Sequence, residues 1–275
     1  MRVAFQGEPG AYSEAAALEY FGRETEAVPC ESFDEIFASV ESGTCDRGLI
    51  PIENSLAGSI HHNYDLLLQH QLTITGEHFL RVHHCLIGYP GVEKSQLRRV
   101  ISHPQALAQC AGYLKSMPWC RVEPVYDTAG SVKMMREGGD RTVAAVASRR
   151  AAEYYGMAVL EEGIEDDPAN YTRFLAISPV PVSPGQEAKT SIVFSVPNIP
   201  GSLYRALSIF ALRGLDLTKI ESRPLVGKPW DYLFYIDFAG STGDPPVRQA
   251  LDELERSSSI LRVLGSYPRS PAPKG

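Results

Sequence analysis

Short apolar segments alternate with amphipathic helical segments through the first 178 residues, and this alternation limits the possible fold more than any other feature. Strands are predicted at 2–7, 26–30 and 47–53, with helices at 13–21, after Ser32, and between 59 and 71. Ser13 and Ser32 are candidate N-caps. Such a βαβαβ order is typical of a mainly parallel sheet covered by helices on both faces.

A long extended run over 72–89 is more than one compact sheet needs, and it predicts a connection to a second lobe. The same alternation resumes there, with a single helix predicted at 104–117. The chain is then expected to return to the first lobe over residues 170–178. We therefore predict an α/β, bilobal, periplasmic-binding-protein-like domain over 1–178, with a ligand cleft between the lobes. Lobe one takes about 1–76 and 160–178, and lobe two takes about 77–159.

A Pro-rich linker over 179–189 separates this domain from a different pattern. Residues 190–267 show the order βαββαβ, which is typical of a ferredoxin-like unit. Residues 268–275 are predicted to be a tail.

Overall charge and cysteine content narrow the function classes. A net charge of −7 argues against a general nucleic-acid binder, since there is no basic surplus to neutralise phosphates. The five cysteines are scattered without a CxxC pair, which favours reduced thiols. The N-terminus leads directly into a strand with no signal-peptide pattern, and no apolar run is long enough to cross a bilayer. We expect a cytoplasmic protein that has no nucleic-acid or membrane partner.

Polar clusters recur in the first domain where loops meet helices. The clusters are Gly10–Ser13, Glu53–Ser59, Ser102–Gln105, Asp127–Ser131 and Asn170–Arg173. Each alone is read more simply as a helix cap. Together they indicate a cleft with hydroxyls, amides and helix N-termini but little fixed charge, which suits a small, oxygen-rich polyanion.

The run Asn170–Phe174 places a hydroxyl beside a guanidinium at the start of a strand. Neighbouring strand residues point to opposite faces, so Thr172 and Arg173 face one pocket only if the backbone bends. The alternative is an ordinary strand start with a solvated arginine.

Motifs for several other chemistries are missing from the sequence. There is no GxGxxG, Walker A or GxSxG pattern, and the adjacent pairs His61–His62 and His83–His84 diverge too much for metal ligation. We expect no metal and no cofactor. In the C-terminal unit, Pro197–Leu203 and Glu221–Pro224 fit either ordinary turn chemistry or an amino-acid site.

Taken together, these motifs resemble the prephenate dehydratases and the similar arogenate dehydratases, with a C-terminal ACT domain. The resemblance rests on 10–16, Pro51–Ser55 with Gly58–Ser59, 63–66, Ser102–Leu107, Asp127–Gly130, Thr172–Phe174, Gly201–Leu203 and Glu221–Pro224. It implies an α/β lyase that converts prephenate to phenylpyruvate and is controlled by L-phenylalanine. The helical chorismate mutase module of some relatives is not seen, so a monofunctional enzyme is expected.

The resemblance also implies roles for individual residues. Thr172 is expected to be the essential residue, and the catalytic set is Thr172, Arg173, Phe174, Asn170, Glu53, Asn54 and Ser55. Substrate contacts are expected from Ser13, Ser59, Ser102, Gln105 and Thr128. The L-phenylalanine site is expected at Asn198, Gly201, Ser202, Leu203, Glu221 and Ser222. The expected assembly is a homo-oligomer, a dimer or a dimer of dimers, with a homotetramer as the specific expectation.

Three alternatives remain open from sequence. An arogenate dehydratase would use the same motifs and give phenylalanine directly. A bilobal small-anion binding protein would lack catalysis. A purely regulatory amino-acid sensor would leave the large polar cleft unexplained.

Overall fold

The computed structural model describes residues 1–225, 227, 230–271 and 273. The chain divides into two compact units. Unit one contains residues 1–60 and 79–174, and unit two contains residues 61–78 and 175–273. Within the predicted tail, residues 272, 274 and 275 lie outside the described residues. The predicted domain boundaries stay predictions, since this division follows compactness alone.

The first sheet of unit one has the strand order β2-β1-β3-β11-β5, with β4 paired to β3. Its strands are β1 (Arg2–Gln6), β2 (Glu26–Cys30), β3 (Arg47–Asn54), β4 (Gly58–Ser59), β5 (Thr73–Arg81) and β11 (Tyr171–Ser178). Strand β1 pairs in parallel with β2 and β3, as the alternation predicts. Residues 79–81 of β5 and 171–174 of β11 belong to unit one.

Two helices connect the first three strands, α1 (Tyr12–Phe21) and α2 (Phe33–Glu41). Ser32 caps α2 by accepting from the Glu35 backbone N–H, as predicted. Ser13 does not cap α1, because the helix begins one residue earlier and its N-cap, Ala11, provides no side-chain acceptor.

The second sheet of unit one has the order β10-β6-β9-β7-β8. Its strands are β6 (Cys85–Gly88), β7 (Arg99–Ser102), β8 (Arg121–Pro124), β9 (Val143–Ala147) and β10 (Ala158–Glu162). Its helices are α4 (Pro104–Gln109), α5 (Ala111–Lys115), α6 (Thr128–Gly138) and α7 (Arg149–Tyr155). The chain passes between the sheets over 82–84 and again over 163–170, which confirms the two lobes.

The pairing within this second sheet is mixed. Strands β7, β8 and β9 are parallel, whereas β6 pairs antiparallel with both β9 and β10. The two antiparallel strands lie next to the crossings. In this second sheet, the expectation of parallel pairing therefore holds for β7, β8 and β9 only.

The single helix predicted over 104–117 is wrong, because it is broken at Cys110. The Asp166 backbone N–H donates to the Gln109 carbonyl at 2.7 Å, and the Asp166 carboxylate accepts from the Gly112 N–H at 3.0 Å. The second crossing thus takes hydrogen bonds that a continuous helix would make internally.

The two lobes approach closely at Gly10. A Cβ atom there would lie 2.6 Å from the Ala151 Cα of α7, and the residue has a φ of +91°. The Gly10 carbonyl accepts from the Ser148 hydroxyl at 2.6 Å. Only glycine allows this backbone conformation and this approach without strain.

Unit two contains a four-stranded sheet with the order β13-β14-β12-β15, in which all pairs are antiparallel. Its elements are α3 (His61–Gln69), β12 (Ala188–Ser195), α8 (Ser202–Ala211), β13 (Leu217–Pro224), β14 (Tyr232–Ala239), α9 (Pro245–Ser257) and β15 (Ile260–Pro268). From β12 onward this is the predicted ferredoxin-like βαββαβ unit. Helices α8 and α9 pack on one face over a core that includes Phe194, Phe210 and Phe238.

Residues 61–78 cover the other face of this sheet. The Tyr235 hydroxyl donates to the Tyr64 carbonyl at 3.0 Å. Arg262 donates to the Leu68, His70 and Leu72 carbonyls at the C-terminal end of α3. A cation at this position also complements the helix dipole.

A buried ion pair joins the middle of β5 to β12. Lys189 Nζ lies 2.7 Å from the Glu77 carboxylate, and Glu77 is fully buried. Because a buried charge is costly without its partner, this pair specifies how residues 73–78 dock on the sheet.

None of the helices in the described part of the chain has the length and apolar character needed to cross a membrane. All five cysteines are free, and four of them are buried.

Candidate functional site

The hydroxyl of Thr172 lies at the start of β11, beside the end of β3. Asn54 Nδ2 donates to Thr172 Oγ1 at 3.0 Å, although the two residues are 118 positions apart in the chain. The contact arises because β3 and β11 are neighbours in the first sheet. The structure therefore brings together two of the residues that the sequence assigns to catalysis.

The orientation of the Asn54 amide is determined by the backbone that follows it. Asn54 Oδ1 accepts from the N–H groups of Leu56 and Ala57 at 3.1 and 2.9 Å. The oxygen end of the amide is thus identified by two donors that cannot act as acceptors. The nitrogen end must face Thr172, so the Thr172 oxygen accepts from Asn54 and its own O–H remains available to donate.

Asn170 extends this arrangement toward lobe two. Its Oδ1 accepts from Asn54 Nδ2 at 2.8 Å, and its Nδ2 donates to Gln109 Oε1 at 3.0 Å. Asn170 is fully buried and Asn54 is 7% exposed. The network is shielded from water, which strengthens its hydrogen bonds.

Glu53 and Arg173 lie beside these residues in sequence but form a separate pair. Arg173 donates to Glu53 Oε1 at 3.2 Å, and its side chain is 5% exposed. Alternation along each strand explains the separation, because Glu53 and Asn54, like Arg173 and Thr172, point to opposite faces. The bend that would bring Arg173 beside Thr172 is therefore not needed to account for the observed contacts.

Phe174 and Ser55 are placed by the same strand end. Phe174 is 1% exposed and lies in the core. The Ser55 hydroxyl donates to the Ala169 carbonyl at 2.8 Å and accepts from the Tyr171 N–H at 2.9 Å. Ser55 thus ties the loop after β3 to the second crossing, just before Thr172.

The residues predicted to contact substrate are distributed over both lobes. Ser102 is fully buried, and its hydroxyl donates to the Val146 carbonyl at 2.5 Å. Gln105 is exposed in α4, whereas Thr128 is half-buried as the first residue of α6. Ser13 is half-buried in α1, and Ser59 pairs with Glu53 in the β3–β4 hairpin.

Asp127 is the main titratable group at the start of α6. Its carboxylate accepts from the Gly130 N–H at 2.6 Å and caps the helix. Burial raises the pKa of this carboxyl, and the cap bond opposes the rise. Among the described residues, no group of three His, Cys, Asp or Glu side chains is placed to hold a metal ion.

With this geometry in place, comparison with known proteins identifies the family. A family model described as "Prephenate dehydratase" matches residues 3–181. The chain belongs to the prephenate dehydratase family. A second model, described as "ACT domain", matches residues 190–256. As a member of this family, the chain is a carbon–oxygen lyase.

Individual relatives cover nearly the whole of this prephenate dehydratase family member. It is 51% identical to "Arogenate dehydratase/prephenate dehydratase 2, chloroplastic" of Arabidopsis thaliana over 279 residues, which is 98% of this chain and 73% of the relative. A solved prephenate dehydratase from Arthrobacter aurescens in complex with L-Phe has a TM-score of 0.91 and 33% identity, covering 99% of this chain and 92% of that one.

Another solved structure is described as "GqqA- a novel type of quorum quenching acylases". It has a TM-score of 0.91 and 39% identity, covering 98% of this chain and 99% of that one. The same overall fold is therefore also described under another activity, so assignment of a reaction must rest on the residues of the site.

The ACT domain of this prephenate dehydratase family member has a cavity of about 360 Å³ at the start of α8. Four of the residues predicted to bind L-phenylalanine line it, Asn198, Gly201, Ser202 and Leu203. The aromatic side chains of Tyr232 and Phe234 also contribute to its wall. The cavity thus combines helix N–H groups with apolar surface.

The remaining two predicted effector residues lie elsewhere in unit two. Glu221 contacts His61 of α3 at 3.1 Å, and Ser222 follows it on β13 with an exposed side chain. Neither lines the cavity at α8. The structure therefore divides the predicted effector set between the cavity and the surface that meets α3.

Gln109 belongs to the same hydrogen-bond network as Asn54 and Asn170, and the sequence reasoning missed it. Its Oε1 accepts from Asn170 Nδ2, directly behind the Asn54–Thr172 pair. The sequence feature that could have indicated Gln109 is its place in the predicted helix that follows the Ser102–Gln105 cluster. A helix prediction that extended through Cys110 did not show that α4 ends at Gln109.

Proposed function

We propose that this chain converts prephenate to phenylpyruvate, carbon dioxide and water, with Thr172 as hydrogen-bond donor to the departing ring hydroxyl. The observation that carries the proposal is the hydrogen bond from Asn54 Nδ2 to Thr172 Oγ1. It occupies an acceptor position of the hydroxyl and leaves its proton for the substrate.

The chemistry requires such a donor. When the ring carboxylate leaves as carbon dioxide, the electrons of the broken C–C bond enter the ring, which becomes aromatic as the C–O bond breaks. Negative charge develops on the leaving oxygen, and a preorganised donor stabilises it. A proton taken up from solvent completes the water molecule. An alcohol is a weak acid, so Thr172 acts through a strong hydrogen bond within an ordered network.

Other residues complete the proposed site. Glu53, Asn54, Ser55 and Asn170 organise the strand end around Thr172, and Ser13, Ser59, Ser102, Gln105 and Thr128 contact the substrate. Arg173 and Phe174 remain in the catalytic set. Arg173 is assigned to hold the substrate carboxylate, as the sequence resemblance implies. Its guanidinium also pairs with Glu53.

The test compares Thr172→Val with Thr172→Ser in purified protein. Valine keeps the shape of the side chain and removes the hydroxyl, so kcat should fall by about 10²–10⁴-fold. Serine keeps the donor and should retain most of the activity. Turnover of Thr172→Val at the wild-type rate would reject the role. A wild-type protein that binds prephenate without converting it would be a bilobal anion-binding protein.

Arogenate is the second candidate substrate, because the name of the Arabidopsis relative includes both activities. Prephenate and arogenate differ in a side chain remote from the leaving hydroxyl, so the role of Thr172 is the same for both. Parallel assays that measure phenylpyruvate from one and phenylalanine from the other, compared as kcat/KM, decide the preference.

L-phenylalanine is proposed as the effector, bound in the ACT cavity at α8. The α8 N–H groups suit its carboxylate, and Tyr232 and Phe234 suit its ring. The Arthrobacter aurescens structure in complex with L-Phe supports this choice. Calorimetry should show L-phenylalanine binding to the wild type and weaker binding to Asn198→Ala, with prephenate turnover preserved in that variant without effector.

The assembly and cellular location are also proposals. We propose a homotetramer, and large exposed side chains on the ACT domain (Ile199, Tyr204 and Leu212) provide apolar surface for association. Light scattering after size-exclusion chromatography tests the mass. A cytoplasmic location is proposed because all five cysteines are free, and fractionation of the source cells tests it.

A further inference from the structure

Two aromatic side chains continue the hydrogen-bond network beyond Gln109. His84 Nε2 lies 3.0 Å from Gln109 Oε1, and His84 Nδ1 lies 2.9 Å from the Tyr12 hydroxyl. His84 is 2% exposed and sits on the first crossing, just before β6. Tyr12 is the first residue of α1. Neither side chain has a role in the site described so far.

The donor and acceptor of each hydrogen bond in this network follow from the fixed orientation of Asn54 at one end. Because Asn54 Oδ1 is held by two backbone N–H groups, Asn54 Nδ2 must donate and Asn170 Oδ1 must accept. Asn170 Nδ2 then donates to Gln109, so the Gln109 atom facing both Asn170 and His84 is the oxygen. Each amide orientation thus determines the next.

The same logic determines the tautomer of His84. Gln109 Oε1 can only accept, so the proton of the neutral imidazole must be on Nε2. His84 Nδ1 must then accept, and the hydroxyl beside it belongs to Tyr12. The Tyr12 hydroxyl also has the His83 carbonyl at 2.8 Å as a second acceptor. It can therefore turn between the two acceptors without moving the ring.

The charged groups around His84 are compatible with this neutral state. The Glu165 carboxylate accepts from the His84 backbone N–H at 2.9 Å, and its other oxygen lies 2.8 Å from His83 Nδ1. The carboxylate is thus engaged by His83 and by the backbone, not by the His84 ring. The ring contacts Gln109 and Tyr12 through its nitrogens, and both partners are uncharged side chains.

We propose that His84 and Tyr12 are positioning residues for the lyase reaction. They hold Gln109 and Asn170 in place, and Asn170 Oδ1 in turn accepts from the Asn54 Nδ2 that faces Thr172. The inference rests on the proposed role of Thr172 as donor to the leaving hydroxyl. It adds the requirement that this role depends on a histidine tautomer four side chains from Thr172 in the network.

The first test is a matched pair at position 84. His84→Gln keeps a donor near the position of Nε2, whereas His84→Met has similar length and no donor. We expect kcat to fall about ten-fold in His84→Met and to be about five-fold higher in His84→Gln than in His84→Met, with KM within about two-fold of the wild type in both. Equal kcat values for the two variants would overturn the inference.

The second test removes one hydroxyl group. Tyr12→Phe should lower kcat by about three- to ten-fold at unchanged KM. Tyr126→Phe is the matched control, since its exposed hydroxyl donates to Glu8 outside the network. A Tyr12→Phe variant that loses thermal stability but keeps the wild-type kcat would show a structural role only and would overturn the proposal.

A readout independent of turnover keeps this inference separate from the proposed function. ¹⁵N NMR of histidine-labelled wild-type protein should show His84 with a protonated Nε2 and an unprotonated Nδ1. The opposite tautomer would overturn the inference even if Thr172 is essential. If Thr172→Val is fully active while the tautomer is as expected, the proposed role of Thr172 fails and the positioning role falls with it, although the network stands.

Discussion

At the scale of single residues, a substitution of Arg173 can show whether its side chain stabilises the fold or binds the substrate. Its guanidinium is nearly buried against Glu53, which is about one-third exposed. Arg173→Met should destabilise the protein by about 1–3 kcal/mol, because it removes the nearly buried guanidinium that contacts the Glu53 carboxylate. Urea denaturation measures the loss.

The double variant Glu53→Leu/Arg173→Met is the control for this prediction. Since both charges are removed together, it should lose less stability than the sum of the two single variants. A stable Arg173→Met protein with KM for prephenate raised more than ten-fold would contradict the structural role and favour the carboxylate-binding role.

His84 also predicts how stability changes with pH. Burial lowers the pKa of its imidazole below 6.5, and His83 acts in the same direction, while Gln109 and Glu165 oppose the shift. The unfolded chain therefore binds this proton at a higher pH than the folded protein does, so stability is full above pH 6.5 and falls as the pH drops below it.

The measurement is the urea midpoint of wild-type and His84→Gln proteins between pH 7.5 and 5.5. The wild type should lose more stability over this range than the variant, because glutamine has no proton to bind. Identical pH dependences of the two proteins would show that His84 keeps its ordinary pKa. Tyr12 can turn its hydroxyl to His83, so a modest difference is expected.

The site contacts themselves could not be read from sequence. Motif resemblance selected Thr172, Asn54 and Asn170, but their distances depend on β11 lying beside β3, a pairing across 118 residues. Local periodicity carries no information about which distant strands become neighbours. The tautomer of His84 depends on this pairing too, and its position in a His–His pair suggested only an ordinary core or surface histidine.

At the scale of elements, the close approach of Gly10 to α7 provides a prediction with an internal control. Gly10→Ala places a Cβ atom 2.6 Å from the Ala151 Cα at a φ of +91°. Gly43→Ala has a φ of +76° but open space around it. The second change should cost about 1 kcal/mol and the first about 3 kcal/mol or more in unfolding free energy.

Chemical denaturation of both glycine variants tests this difference. Equal losses would mean that only backbone conformation matters and that the loop before α1 can shift away from α7. Because Gly10 and Ala151 belong to different lobes, a larger loss in Gly10→Ala should be accompanied by reduced turnover.

Helices and strands with strong periodicity were predicted well because their pattern is local. Helix α2 shows this, with Ile36, Phe37 and Val40 buried and Ser32 at its N-cap. The break between α4 and α5 was missed because its cause, Asp166, is more than fifty residues away. The mixed pairing of β6 was missed for the same reason, since strand direction depends on where the crossings enter the sheet.

At the scale of the whole molecule, the packing of residues 61–78 changes what a truncation experiment can show. Deleting 190–275 removes Tyr235 and Arg262, which donate hydrogen bonds to the backbone of residues 64–72. It also exposes the buried side of α3, which includes Tyr64, Leu66 and Leu67. We expect the melting temperature to fall by about 10 °C or more.

Thermal denaturation of the truncated chain tests this expectation. Deletion of 271–275 alone is the control, because it keeps Ser270 and its hydrogen bond to the Glu77 carbonyl. An unchanged melting temperature after removal of 190–275 would show that α3 needs no partner. Loss of the phenylalanine response in a destabilised truncation does not locate the effector site, so a point variant such as Asn198→Ala is the sharper test.

The overall organisation was predicted in part. The two crossings followed from the length of the extended run, and the βαββαβ order followed from periodicity. The packing of residues 61–78 on the ACT sheet could not be predicted. The amphipathic pattern of α3 indicates that one face is buried, but it does not indicate which part of the protein covers that face.

The docking of α3 on the ACT sheet also limits how the effector domain can be exchanged between enzymes, in evolution or in protein engineering. If an effector domain is to be exchanged as an independent module, the linker must be the one place where it joins the rest of the protein. Here the segment that covers its sheet lies early in the chain, separated by one residue from the hairpin that holds Ser59. A chimaera designed to respond to a different amino acid must therefore transplant residues 61–78 together with the C-terminal domain, or redesign their shared surface.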